Sequence, residues 1–504
     1  MVAKYCRYGA ITSNSSASMC LRDSPASTQA ASPARRFWIL FTHTAKVTAD
    51  NDPEYEGIKT MTHRTFNCDN ESQQMPAFGA HRILGVYPQK QDGLFMQRIK
   101  VLGGRISWPQ WRKIAELAFK YSSGFGLHIT TRQDIELHNI PAENIPLIQQ
   151  SLAETGLSIF AAGGDSVRNI SICSNCDFCS DGFDLLPLAQ IVRQYLELQP
   201  YISHLPRKFK ISFSGCSQAC AKPWLNDLGF IAQNNNLFTV IGAGSLGPKP
   251  ALGIELYRNL SAKDVLPVCI AATMIFNQYG DRENRRRARL RHIRERFGDK
   301  QFCVELGGWF KRVKLSRTWP ELLISQNKSE NIKLLYRLQL PNGNINPKEA
   351  TELADIAEAK GSLLRINLEH GLEIYGTEGF KLPENLSALA NNPIVVACPG
   401  LSSCSKALTD TWALADAIRK HLPNLNRTQL RINVSGCPNS CAHSSAANIG
   451  LIGMRRNRDG KSVECFRLFT GGQNGVSEHL AQAGDVVFAE DVPDAIKRLL
   501  SLDR

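Results

Sequence analysis

A long internal repeat constrains the fold of this chain more than any other feature. Residues 171–179 (SICSNCDFC) match 396–404 (VACPGLSSC), and 210–220 (KISFSGCSQAC) match 432–441 (INVSGCPNSC). Residues 228–247 then match 449–472. Upstream of each set the element order also recurs. LFMQRIKV (94–101) alternates as a strand, GGRIS follows, and Pro109 opens an amphipathic helix through Trp111, Ile114, Leu117 and Ala118. LHITTRQDIELHNI reads as two strands about a polar turn, with a second helix over residues 144–154. LLYRLQL (334–340), NGNINP, a helix through Leu353, Ile356 and Ala357, and LLRINLEHGLEIYGT repeat that order. Each such unit has a ferredoxin-like β-α-β pattern. Each half is therefore a small α+β unit followed by a larger α/β unit, a pseudo-dimer expected to hold its site between the halves.

The boundaries that follow are an N-terminal extension over 1–75, then units over 76–160, 161–280, 331–385 and 386–504. Residues 281–330 are read as an Arg-rich helical linker. The extension is rich in Ser, Ala and Thr, and its first 48 residues hold one acid, Asp23. That suits a transit peptide, and equally a start at Met61; the expected location is cytoplasmic, or plastid if the segment is a transit peptide. Eight arginines between Arg282 and Arg296 read as a solvated face or as a docking surface for an acidic donor.

Cys398, Cys404, Cys437 and Cys441 are spaced C-x5-C and C-x3-C among Gly, Pro, Ser and Asn. Four thiolates suit a soft metal centre. The C-x5-C spacing fits a zinc knuckle poorly and a [4Fe–4S] cubane better; free structural cysteines are the bland reading. The chain has 15 cysteines and no secretory signal, which argues for metal in a reducing compartment rather than disulfides. The apolar run around Leu266–Phe276 is too short to span a bilayer. The net charge of +13 comes without a nucleic-acid motif, so a polyanionic cofactor and an acidic protein partner account for it better. Gly242, Gly244 and Gly247 form a GxGxxG, but Pro248 and Pro250 follow where a dinucleotide site needs a helix.

Arg98, Arg168, Arg207, Lys208 and Lys210 form basic clusters in the first half. On strand geometry Lys208 and Lys210 share a face, where two ammonium groups need an anion between them. With FMQRIKVLGGRIS, TTRQDIELHNI, SVRN, LPRKFK, ACPGLSSC and SGCPNSC all present, the chain resembles the sirohaem-dependent sulfite and nitrite reductases over residues 76–504.

The resemblance implies an α+β fold, a pseudo-two-fold repeat of ferredoxin-like half-domains plus two α/β sirohaem- and cluster-binding domains. It implies a [4Fe–4S] cluster on Cys398, Cys404, Cys437 and Cys441, with Cys441 bridging to sirohaem iron. Arg98, Arg168, Lys208 and Lys210 would surround a small anion. Thr131, Arg132 and Arg207 would bind sirohaem carboxylates, and Asn439 would lie near the macrocycle. No flavin or NADPH segment is recognisable, so electrons would come from a separate acidic protein such as ferredoxin. The pair Lys208 and Lys210 favours sulfite as substrate, reduced to sulfide; nitrite, reduced to ammonia, is the alternative. A precorrin monooxygenase relative and a non-catalytic two-cluster protein fit the lysines less well.

Two departures stand out. Cys173, Cys179, Cys216 and Cys220 keep a full set in the first half, with Cys176 added; they suit a second cluster, a structural metal or no metal. Gln429 and Arg431 stand opposite Lys208 and Lys210, so the second half's anion pocket is degraded and one active sirohaem site is expected. Glu136 replaces a Gln common in the family and needs a partner beside a polyanionic haem.

Overall fold

The computed structural model describes residues 79–179, 181–326, 331–422 and 430–502. The expected extension over 1–75 lies outside them. Among the described residues no helix is long and apolar enough to cross a membrane.

The repeat folds into four sheets. The first ferredoxin-like unit orders its strands Val86–Pro88, Leu94–Ile99, Ile135–Pro141 and Leu127–Ile129. The second orders Lys333–Gln339, Gly371–Gly376 and Leu363–Ile366. Each then accepts a two-residue strand from the other. Asn344–Ile345 pairs with Leu127 and His128, and Arg105–Ile106 pairs with Leu364 and Arg365. Matching left-handed turns deliver the two short strands, Gly103 at φ 57° and Asn342 at φ 55°. Asn is one of the few non-glycine residues that tolerate this region.

The exchange makes one core of the two units. Ser107 caps the helix Trp108–Tyr121 in a capping box with Gln110, and the helix buries Trp108, Trp111, Ile114, Ala115, Leu117 and Ala118 at helical spacing. The facing helix Pro347–Ala359 buries Ala350, Leu353, Ala354 and Ala357. Both indoles bond across the junction, Trp111 to the Ala350 carbonyl at 2.9 Å and Trp108 to that of Ser362 at 2.8 Å. Buried tryptophan is tolerated when its N–H finds such a partner.

The larger units share one topology. Ser171–Ile172, Ile211–Ser214, Leu228–Gln233, Leu237–Gly242 and Ile254–Ser261 form one sheet. Val395–Ala397, Ile432–Ser435, Ile449–Arg458, Lys461–Thr470 and Gln482–Phe488 form the other in the same order. In both, the first three strands run parallel and the rest antiparallel. Helices Leu186–Glu197 and Thr411–His421 make the first crossovers. Gly229 and Gly450 sit at matched positions; a Cβ would come within 2.4 Å of Pro223 Cα or 1.8 Å of the Ser444 carbonyl oxygen. Only glycine lets the 3₁₀ turns Pro223–Leu225 and Ser444–Ala446 lie against the sheet.

The expected linker over 281–330 is, over its described residues 281–326, part of the first α/β unit. Helices Leu290–Phe297 and Asp299–Leu315 bury Leu290, Ile293, Phe302, Leu306 and Val313 in the core of the first α/β unit. The apolar face of an amphipathic pair outweighs the arginines on its other side. Four of the arginines form ion pairs, while Arg282, Arg286 and Arg287 are exposed. Arg285 pairs with Asp165 at 2.7 Å, Arg289 with Asp227 at 2.7 Å, Arg291 with Glu295 at 2.5 Å and Arg294 with Asp299 at 3.0 Å. Gly242 ends a strand and the chain turns through a Ser245–Ala251 bridge into another strand, so the GxGxxG carries no dinucleotide fold.

Candidate cofactor site at the junction of the halves

Cys398 follows the strand Val395–Ala397, Cys404 follows a 3₁₀ turn, and Cys437 and Cys441 lie on the loop leaving Ile432–Ser435. Backbone N–H groups turn toward the sulfurs. Gly436 donates to Cys398 Sγ at 3.2 Å and Lys406 to Cys404 Sγ at 3.4 Å. Asn439, which is exposed, donates through both backbone and side chain to Cys437. Burial pushes the Cys398 thiol up to about 12, with Cys441 adding to the effect. Cys404 and Cys437 are also raised, by burial first and by Cys441 against the N–H donors. Thiols held so need a cation to ionise, and N–H donors around them suit a cluster's sulfurs.

Among the described residues, no three His, Cys, Asp or Glu side chains converge closely enough to hold one metal ion. The N–H donors to Cys398, Cys404 and Cys437 fit a cubane, whose thiolates bind separate irons.

Cys441 is the exposed member of the set, and Thr131 of the first half donates to its backbone carbonyl at 3.2 Å. Beside it lies a concentration of positive charge. Burial, against the pull of Cys441, lowers Lys208 to about 7, with Arg289, Arg168 and Arg132 adding repulsion. Burial and then Arg132, Lys208 and Arg289 push Lys210 well below the usual lysine range. Arg132 falls to about 10, through burial and the repulsion of Arg168, Arg289 and Arg98, with Asp134 opposing. Among the described residues the Arg132, Lys208 and Lys210 side chains have no hydrogen-bonding or ion-pair partner. Cations crowded together and partly withdrawn from water repel one another unless an anion neutralises them. The donor set therefore fits a polyanionic group seated over Cys441.

The structure treats the other sequence-predicted residues differently. Arg98 is committed to Glu136, with Nη2 to Oε1 at 2.7 Å and Nε to the same oxygen at 2.8 Å, and also to the Ala162 carbonyl at 3.0 Å. Glu136 takes a further contact from His138 Nε2 at 3.0 Å. That supplies the partner Glu136 needed: although burial raises its carboxyl, Arg98 and His138 hold it well below the usual range. Arg168 donates to the Gly164 carbonyl at 2.7 Å and to the Tyr87 hydroxyl at 3.3 Å. Arg207 lies 3.6 Å from Asp165, which it shares with Arg285. Gln429 lies outside the described residues.

Several residues escaped the sequence reading. Arg289 looked like one of a surface run, yet its Nη2 pairs with buried Asp227, which also accepts the Lys210 backbone N–H at 2.8 Å. Tyr87 sits under Arg98, with the guanidinium carbon 5.2 Å from its ring centroid. Burial raises its phenol, but Arg168 and Arg98 together bring it below the usual value. Nothing local in the sequence marks Tyr87; the Asp227–Arg289 pairing spans 62 residues.

The fold and the site fit a redox protein that carries a cluster and a polyanionic macrocycle. The family model described as the nitrite and sulphite reductase 4Fe-4S domain matches residues 163–312 and 390–502, more than half of the chain. The nitrite/sulfite reductase ferredoxin-like half domain matches residues 87–155. The chain belongs to the sirohaem- and [4Fe–4S]-dependent nitrite and sulfite reductase family and is an oxidoreductase. It is 28% identical to the assimilatory ferredoxin-dependent nitrite reductase of Haloferax mediterranei, over 89% of this chain and 86% of that protein. It is 28% identical to the ferredoxin–nitrite reductase of Synechococcus elongatus, over 84% and 90%. The solved structure of the Mycobacterium tuberculosis NirA protein shares the fold, at a TM-score of 0.70 and 23% identity, covering 84% of this chain and 86% of that one.

Proposed function

We propose that the chain carries out the six-electron reduction of nitrite to ammonia, with ferredoxin as donor. The observation that carries a small-anion reductase is the group of basic side chains without ion-pair partners among the described residues, Arg132, Lys208 and Lys210, gathered beside exposed Cys441. The lysine pair by itself pointed to sulfite. The relatives' names favour nitrite, and that reading takes precedence here.

Cys398, Cys404, Cys437 and Cys441 would hold the cluster, and Arg132 with Thr131 would receive haem carboxylates. When bound, the coupled cluster and sirohaem supply single electrons to one substrate anion. Lys208 and Lys210 attract the anion and stabilise charge that grows as oxygen departs. Lys208, protonated beside a bound anion, can also pass a proton toward a departing oxygen. Arg168 and Tyr87 form a fixed hydrogen-bonding wall, and Glu136 holds Arg98 in place.

The test is anaerobic purification, an absorption spectrum, and steady-state turnover of nitrite and sulfite with reduced ferredoxin. Sirohaem bands with a higher kcat/KM for nitrite are expected. A higher value for sulfite would restore the sulfite reading, and absence of sirohaem would overturn both.

A further inference from the structure

The first-half cysteines reproduce the cluster scaffold of the second half at the level of individual hydrogen bonds. Gly215 N–H points to Cys173 Sγ at 3.1 Å, as Gly436 N–H points to Cys398 at 3.2 Å. Gln218 donates its backbone N–H to Cys216, as Asn439 does to Cys437. Cys179 contacts Cys216, and Cys220 lies within electrostatic reach of both. Cys176 is outside the matched set: its counterpart is Leu401, and it packs against Cys173 and Arg105, whose Nη2 lies 3.6 Å away. The set offers no site for a single ion among the described residues, like its counterpart.

The side facing Cys220 differs in kind. By the repeat, Glu369 stands where Arg132 stands, Leu368 where Thr131 stands, and Arg431 where Lys210 stands. Arg431 Nε pairs with Glu369 Oε1 at 2.6 Å, Lys222 Nζ approaches the same oxygen at 4.0 Å, and both members of the pair act on Cys220. Arg431 is already paired here, and a carboxylate occupies the position that should greet haem carboxylates. A macrocycle carrying many carboxylates would meet the Glu369 carboxylate where the other side offers Arg132.

We propose that Cys173, Cys179, Cys216 and Cys220 hold a second [4Fe–4S] cluster with no haem beside it. Such a cluster can take up and release one electron but binds no substrate. The assignment rests on the shared cluster scaffold and not on which anion the enzyme reduces.

The test is iron and acid-labile sulfide per chain, after anaerobic purification and reconstitution of the full chain, with haem iron subtracted. About eight non-haem irons and eight sulfides are expected, two cubanes' worth. About four of each would overturn the proposal. Electron paramagnetic resonance of the reduced wild-type protein should show a cluster signal uncoupled from haem; its absence likewise overturns the proposal. Cys216→Ser should remove half of the non-haem iron and leave the haem absorption in place, whereas unchanged iron in that variant would refute the assignment. Eight irons without haem bands would uphold this site and reject the reductase reading.

Discussion

Beside Cys441, Arg132, Lys208 and Lys210 crowd together without a hydrogen-bonding or ion-pair partner among the described residues, and burial and mutual repulsion lower all three. Beside Cys220, at the matched place, Glu369 and Arg431 neutralise each other at 2.6 Å. The sheets, the glycine-backed 3₁₀ turns and the N–H donors to sulfur are the same on both sides. The comparison separates two demands made on one scaffold. Backbone geometry prepares thiols for a cluster, and a few side chains decide whether the neighbouring space accepts a polyanion. A substitution from one side to the other should therefore carry the property with it.

The largest effect is expected from Arg132→Glu, which copies Glu369 into the haem side. It replaces a cation with an anion among carboxylates, and loss of an electrostatic contact of this kind costs about 10²–10³-fold in activity. Haem absorption per chain should fall while non-haem iron is retained. Full haem occupancy in this variant would break the comparison. Next is Lys208→Met. An unpaired buried cation attracts anions only while protonated, and Lys208 loses its proton at about 7 in the absence of an anion. Because its value is lowered, the attraction is present below that value and lost above it; a bound carboxylate moves the window upward. KM for nitrite should rise with pH in the wild type. In Lys208→Met it should already be raised, by roughly 10-fold, and its pH slope should flatten. A slope identical to wild type would remove Lys208 from the anion site.

Much of this was legible in the sequence because the repeat aligns residues without needing contacts. The cysteine spacing, the ferredoxin-like order and the lysine pair could all be read that way. Two kinds of information were not. The strand exchange between the ferredoxin-like units depends on a two-residue pairing, Asn344 with His128, across 216 positions. The fate of the arginine run depends on which acids it meets, and Asp165 and Asp227 lie far upstream of Arg285 and Arg289. Charge without its partner reads as surface, so in the sequence the buried Arg289–Asp227 pair and the packed helices after it look like a linker.

The halves also differ in titratable interior. His128, His370 and His443 stand where the other half has Arg365, Gln133 and Lys222. Burial lowers His128 to about 4 and, together with neighbouring cations, sets His370 and His443 well below 6.5. A depressed histidine stays neutral in the fold but takes a proton when unfolded, so stability is intact above about 6.5 and is lost as pH falls toward 4. The melting temperature of the holoprotein should drop by several degrees between pH 7.5 and 5.5. His370→Gln, which copies Gln133, should reduce that drop; an unchanged drop would place the acid sensitivity elsewhere.

The smallest effect expected is from Glu369→Gln. Its pair with Arg431 is partly open to solvent, with the side chains 18% and 36% exposed, so its loss should cost about 1 kcal/mol or less. The proposed reacting site lies on the other side of the repeat, so nitrite kcat/KM and haem absorption should stay at wild-type values. The informative readout is the first-half cluster. Removing the carboxylate leaves Arg431 and Lys222 unneutralised beside Cys220, and positive charge there favours the reduced cluster. The cluster's reduction potential should therefore rise, with its iron content unchanged. A potential that does not move while the melting temperature falls would mean that Glu369 and Arg431 brace the fold without touching the cluster's electrostatics. The contrast between the two sides would then rest on Arg132, Lys208 and Lys210 alone.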